Sequence, residues 1–448
     1  FTSRERLEDP FSPAARALDW LVYTDTKTNQ FGAIQTRYAL ACFFFATQSS
    51  EKGHKWIEDR HWLSSFPVCL WYGIECINQR DEIASVRSLN LSSNALTGTI
   101  PQEIGMLGLD IHTFDVSDNK IGGTIPKTLF ALTNLVDLYL GPNLLTSFIP
   151  THIGLLDGLK QLYINDCSLN GTIPEEIGNL TNLEALGLQN NGLEGSIPSS
   201  ITKLKKMAVL YLDNNAISST IPNNFGELLN LVDLRLRLNL LSGSIPASIG
   251  DLKMLQLLYL DSNRLEGSLP SRVGNLRLLR DLHLYDNIMD GSLPANLGNL
   301  ELLRFFYADS NRFTGPIPTY MGKMRHLESI FLSDNKLMGS LPSQLGSLSN
   351  LKDLRVDSNL LTGTVPHDIG DLQTLEVLYL NDNMFTGSVP FALGMIKSME
   401  EMQLHRNNFT GKMPLRVCVM TSFNLKTLTA DCDVHDERLV CNCCTRCF

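Results

Sequence analysis

Apolar and polar residues alternate in short bursts along most of this chain, and the bursts return at a fixed interval. The stretch Leu255 to Pro270, LQLLYLDSNRLEGSLP, shows the unit. Leu258 and Leu260 flank Tyr259, a period of two that predicts a short strand with one buried face. Asn263, Leu265, Gly267 and Pro270 follow. With Asn263 as anchor, the equivalent positions are Asn94, Asn119, Asn143, Cys167, Asn191, Asn215, Asn239, Asn287, Asn311, Asn335, Asn359, Asn383 and Asn407. The first step is 25 residues and the next twelve are 24 each, which makes 14 repeats between Val86 and Pro414. An Asn amide at the turn can bond backbone groups that stacking would otherwise bury bare. Gly permits a bend that a Cβ would obstruct, and Pro, present in all 14 copies, ends strand pairing. Cys167 breaks the Asn ladder once, a thiol being a mild apolar replacement. Ser147 and Ser219 stand where Gly is expected, which predicts two distorted turns. The rest of each unit, such as SRVGNLRLL at 271–279, predicts a short 3₁₀ or helical turn on a convex side.

A period of 20–29 residues with L-x-x-L-x-L-x-x-N is the leucine-rich repeat signature. Extended to L-x-x-L-x-L-x-x-N-x-L-x-G-x-I-P, it resembles the plant-specific class. Extracellular parts of receptor-like kinases and receptor-like proteins belong to that class, as do polygalacturonase inhibitors. The resemblance covers about three quarters of the chain. It implies an α/β solenoid, a right-handed leucine-rich repeat superhelix with a parallel concave β-sheet. Length alone, 448 residues, would predict several globular domains. A stack of similar layers makes one elongated unit instead. The expected parts are a helical N-terminal cap (1–84), the repeats (85–417) and a cysteine-rich C-terminal cap (418–448).

The ends of a stack need covers for their apolar edges. Residues 1–13 are polar and read as an irregular arm. Ser12-Pro13 pairs an N-cap with Pro at the first helical position and opens a helix through Ala17, Leu18, Leu21 and Val22. A second, apolar helix runs from Ile34 to Thr47. Trp20, Trp56, Trp62 and Trp71 read as cap packing, with a ligand cage as the rival reading. Cys69 and Cys76 close CLWYGIEC, which resembles the C-x-W-x-G-x-x-C end of the plant-type cap. At the other end a degenerate coil, 425–433, leads into Cys418, Cys432, Cys441, Cys443, Cys444 and Cys447. Six cysteines allow 15 pairings, and the sequence does not choose among them. C-x-C-C-x-x-C also has zinc-like spacing. The even count, the cap position, the plant-type repeats and the sequons favour disulfides, so no metal is expected. Cys42 and Cys167 are left as thiols. The helical cap and the TADC…CNCCTRCF ending are also similar to extracellular repeat proteins of diatoms and related algae.

A net charge of −10 and a pI near 5.4 oppose a nucleic-acid or anionic-membrane partner. No apolar run reaches the length of a membrane span. The chain begins at Phe1, not Met, and reads as a processed or trimmed one. Sequons at Asn90, Asn170, Asn179 and Asn408, with the cysteines, point to an extracellular, secreted or cell-surface location.

Parallel strands put the residue between the leucines of L-x-L on the concave face, once per repeat. That column reads Asn90, Asp115, Tyr139, Tyr163, Gly187, Tyr211, Arg235, Tyr259, His283, Tyr307, Phe331, Arg355, Tyr379 and Gln403, and holds six of the 11 tyrosines. Two residues on, Asp213, Arg237, Asp261, Tyr285, Asp309, Ser333, Asp357 and Asn381 form another. Tyr, Trp and Arg dominate interface hot spots, although Tyr also favours strands for its own sake. Charge and aromatics mix most densely at Arg235, Arg237, Tyr259, Asp261, His283, Tyr285, Tyr307, Asp309 and Phe331, the expected ligand-binding set. The alternating Asp residues lie about two strands apart, too far for one calcium. No catalytic motif or metal array stands out, so neither an enzyme nor a cofactor is expected. The reading is a recognition or adhesion module for a protein, peptide or glycan partner. Its rivals are a self-assembling fibre or sheath component whose partner is further copies of itself, and an inhibitor of a wall-degrading enzyme.

Overall fold

The computed structural model describes residues 2–25, 31–48, 55–77, 85–432 and 439–448, with backbone only for 31–33. The expected cap boundary at residue 84, and the last residue of the degenerate coil, lie outside the described residues. Chain contacts divide the protein into Phe1–Ser218 and Ser219–Phe448, a cut within the repeats instead of at either cap.

In the first unit the cap is helical. Helix α1 (Arg4–Glu8) is short, and α2 (Pro13–Tyr23) opens on Ser12, whose hydroxyl accepts the Ala15 N–H at 3.0 Å. Helix α3 (Phe31–Thr47) packs on α2 and on the 3₁₀ turn Gln102–Leu107 of the first repeat, which buries most of its apolar length. Leu40, Ala41, Cys42 and Phe43 are fully buried. The tryptophans pack into this cap: Trp56 and Trp62 lie 4.7 Å apart, and Trp62 and Trp71 5.1 Å. Arg37 crosses the cluster, with Nη2 on Asp25 at 2.8 Å and further bonds to the Ser64 and Phe66 carbonyls. Those bonds let a guanidinium be buried. Strand Ile74–Cys76, closed by the Cys69–Cys76 disulfide, pairs antiparallel with the first repeat strand, Val86–Asn90, and covers its edge.

The second unit repeats one layer. Around Asn263, Leu255, Leu258, Leu260, Leu265, Leu269, Val273 and Leu276 are all at most 4% exposed. Each such side chain contributes about 1.5–3 kcal/mol. Asn263 donates to the carbonyls of Leu236 (3.0 Å) and Leu260 (3.1 Å) and accepts the Leu241 N–H (3.0 Å), tying its repeat to the one before. Gly267 turns at φ +71°, and each convex segment is a 3₁₀ turn such as Ser271–Asn275. Gly274 sits inside that turn, where a Cβ would come 2.2 Å from the Asn296 carbonyl oxygen of the next repeat. Of the two serine substitutions, Ser219 adopts the left-handed backbone at φ 74°, whereas Ser147, in the first unit, follows a strand shortened to Leu144–Leu145. The unit ends in helix α4 (Leu415–Met420) and strands Thr427–Ala430 and Arg446–Cys447, stapled by Cys418–Cys443, Cys432–Cys447 and Cys441–Cys444. Cys42 and Cys167 are free thiols. No described helix is long and apolar enough to cross a membrane.

Candidate functional site

The eight concave strands from Asp233–Arg235 to Glu401–Gln403 are three residues long, with the middle side chain buried and, Asp233 apart, the outer two half-exposed. They pair parallel and in register: Tyr259 opposite His283, His283 opposite Tyr307, Tyr307 opposite Phe331, Phe331 opposite Arg355 and Arg355 opposite Tyr379. Strands about 4.8 Å apart force side chains of one column into contact. The rings respond by stacking. Centroids lie 4.3 Å apart for Tyr259 and His283, 4.6 Å for His283 and Tyr307, and 4.4 Å for Tyr307 and Phe331. The Arg235 guanidinium lies 5.4 Å from the Tyr259 ring centre. Arg355 bridges Phe331 (4.6 Å) and Tyr379 (4.8 Å). The result is one continuous row in which cations lie over ring faces.

Both arginines are held from below. Arg235 forks onto Asp233 at 2.8 and 3.1 Å, and Arg355 onto Asp353 at 2.8 and 2.9 Å. The Tyr259 hydroxyl donates to Asp281 at 2.9 Å and the Tyr379 hydroxyl to Glu401. Burial, and then the Arg237 charge, push His283 down to about 4, so it is neutral near pH 7. Burial, then the bond to Asp281, push Tyr259 above its ordinary range. Burial, with Asp261 beside it, pushes Tyr285 up to about 12.

Of the nine expected ligand residues, Arg235, Tyr259, His283, Tyr307 and Phe331 form this row. Arg237, Tyr285 and Asp309 run alongside it; Arg237 lies 5.8 Å from the Tyr259 ring and Tyr285 6.2 Å from His283. Asp261 is only 1% exposed and does not present a carboxylate to solvent. The row also continues through Arg355 and Tyr379. A third row, Asp233, Asp281, Asp353 and Glu401, anchors it. These last carry a readable signal, since they stand two residues before the central column at the same period.

The covered ring faces limit the chemistry. A sugar needs an open aromatic face to lie on, and here each internal ring has a neighbour on both sides. Edges and hydroxyls are what the row presents. Among the described residues, the only group with metal-like spacing is Cys432, Cys441 and Cys444, and all three are in disulfides. The four sequon asparagines, Asn90, Asn170, Asn179 and Asn408, are exposed.

A leucine rich repeat family model matches residues 205–265, and a second matches 85–107, 158–180, 182–204, 326–348 and 374–396. Over 103 residues the chain is 40% identical to the LRR receptor-like serine/threonine-protein kinase GSO2 of Arabidopsis thaliana, covering 22% of this chain and 8% of the kinase. The structure of the plant peptide hormone receptor RGFR1 in complex with RGF2 aligns at 29% identity and TM-score 0.58, over 83% of this chain and 72% of that one. A leucine-rich repeat protein of Leptospira interrogans aligns at 30% identity and TM-score 0.60, over 72% of this chain and 79% of the other. With the Asn ladder and the parallel strands beneath these matches, the chain belongs to the leucine-rich repeat proteins, with repeats of the plant type.

Proposed function

We propose that this protein is a recognition module working outside the cell, and that it binds an extended peptide segment, free or within a partner protein, along the stacked row of its second unit. The carrying observation is the row itself: four rings stacked between two arginines whose guanidiniums are already fixed by carboxylates. Such side chains lose little freedom when a partner arrives, and rigid aromatics with arginine make good anchors. The RGFR1 complex supports this reading, since that plant peptide hormone receptor, of similar fold, is solved in complex with RGF2. Four disulfides support the extracellular location. The covered ring faces favour a peptide over a glycan.

A displayed library of random peptides, panned on the intact protein, tests the proposal. Peptides should enrich on the wild type and lose binding when Arg235, Tyr259 and Tyr307 are changed together to alanine. Enrichment that survives the triple change, or no enrichment, overturns it.

A further inference from the structure

The concave face of the second unit carries an excess of acid. Its three rows hold seven carboxylates, of which Asp233 and Asp261 are buried, and three guanidiniums. Two of those guanidiniums are clamped by Asp233 and Asp353. His283 and His405 are both held below their usual pKa by burial and add no charge. The third guanidinium, Arg237, has its Nε buried beside Tyr259. What this face offers a ligand is therefore negative.

The acid is also spaced. Asp309 and Asp357 are half-buried, stand in one row two repeats apart, and form no ion pair among the described residues. Between them is the small side chain of Ser333, whose hydroxyl donates to Asp357. Tyr285, Asp334, Arg355 and Asp357 are the charged or titratable groups facing Asp309. Burial pushes Asp309 up to about 6. A cation placed beside it would offset that cost.

Two repeats span about 9.6 Å. A β-strand puts residues i and i+3 on opposite faces, so it cannot present two side chains at that interval to one row. A polyproline-II chain advances about 3.1 Å per residue with three residues per turn, so every third side chain returns to one face after about 9.3 Å. Such segments dock on aromatic grooves without unmaking internal hydrogen bonds. Resting on the recognition reading above, we infer that the ligand of this face is a basic polyproline-II segment with lysine or arginine at every third position, read by Asp309 and Asp357 beside the Tyr307–Phe331 stack.

The test uses fluorescent synthetic probes on the intact protein: four Lys-Pro-Pro units, the same composition with the lysines contiguous, and four Glu-Pro-Pro units. The spaced lysine probe should bind about tenfold more tightly than the contiguous one, with the glutamate probe weakest. Added salt should weaken it. Affinity should also fall as pH drops through about 6, where Asp309 takes up a proton. The double change Asp309→Asn and Asp357→Asn should cost about tenfold in affinity for the spaced lysine probe. It should leave the melting temperature unchanged or raised, because the amides replace carboxylates that burial disfavours. Equal affinity for spaced and contiguous lysines, or no loss in the double variant, overturns the inference. If library-selected peptides still bind and still depend on Tyr307, recognition stands and only the ligand class falls. If they do not, both fall together.

Discussion

The two units carry the same column of concave positions and use it differently. In the first unit it reads Asn90, Asp115, Tyr139, Tyr163, Gly187, Tyr211. Tyr139 and Tyr163 stack at 5.7 Å, and the next position in the column is Gly187. Gly187 supplies no ring, and a Cβ at that position would come 2.3 Å from the Tyr163 ring, so this tyrosine leans over its neighbour's backbone. In the second unit no small residue interrupts the run from Arg235 to Tyr379. Tyrosine content therefore does not make a surface by itself. An unbroken period does, because each ring needs a partner one strand away to hold it upright.

The largest way to break the comparison lies below the surface that differs. Asn287→Ala removes four bonds to buried backbone groups, the Leu265 N–H and the Leu260, Leu284 and Tyr285 carbonyls. Orphaned groups of this kind cost about 1–3 kcal/mol each. Denaturant unfolding should register a loss of about 3 kcal/mol or more; a loss below about 1 kcal/mol would refute this account of the ladder. Next, Tyr307→Ala removes three ring pairs, with His283, Phe305 and Phe331, and Tyr163→Ala removes the pair with Tyr139. At about 0.5–1.5 kcal/mol per pair, the second-unit change should cost about two to three times the first-unit one, beyond lost area. Equal costs would mean that the stack is not cooperative.

A pH series sharpens the contrast further. His283 is folded with a pKa near 4, below its unfolded 6.5, so its stability contribution is complete above pH 6.5 and is lost as pH falls toward 4. Asp309 is shifted the other way, to about 6 from 3.8, so it costs stability above pH 6 and returns it as pH falls. The two oppose each other between about pH 4 and 6. Asp309→Asn should therefore steepen the acid loss of melting temperature, and His283→Gln should flatten or reverse it. Parallel pH curves for both variants would contradict these assignments. The smallest effect belongs to the first unit: Cys167→Asn should complete the ladder and stabilise by about 1 kcal/mol. A melt that drops instead would show a site shaped around sulfur, whose thiol now bonds the Asn165 carbonyl at 3.3 Å.

Much of this was readable in the chain because a 24-residue period converts position into face. Leu258 had to be inside, Tyr259 outside and Asn263 in the turn. The helical cap was legible from Ser12-Pro13 and from the apolar run around Phe43. The details that depend on distance between repeats were not. Gly274 looks like an ordinary turn glycine until the next 3₁₀ turn is placed against it. The pairing of six clustered cysteines depends on which coils they return to. The clamps of Asp233 on Arg235 and Asp353 on Arg355 are of this kind, since nothing in D-L-R alone says that the side chain folds back on its own arginine. Alternation places Asp261 on the outward face, but that rule assigns faces and not depths, and the side chain is buried.

The Asn ladder is directional. Asn263 serves the Leu241 N–H and the Leu236 carbonyl of the repeat before it, Asn287 does the same for Leu265 and Leu260, and Asn311 for Met289 and Leu284. Each coil is thus completed by its successor. A chain emerging from the ribosome, amino end first, always trails one coil whose backbone is still unserved. The same polarity makes the two ends unequal under truncation. Within the ladder, cutting from the carboxyl side strips a coil's backbone of the asparagine that serves it, whereas cutting from the amino side leaves an asparagine without its partners in the coil before.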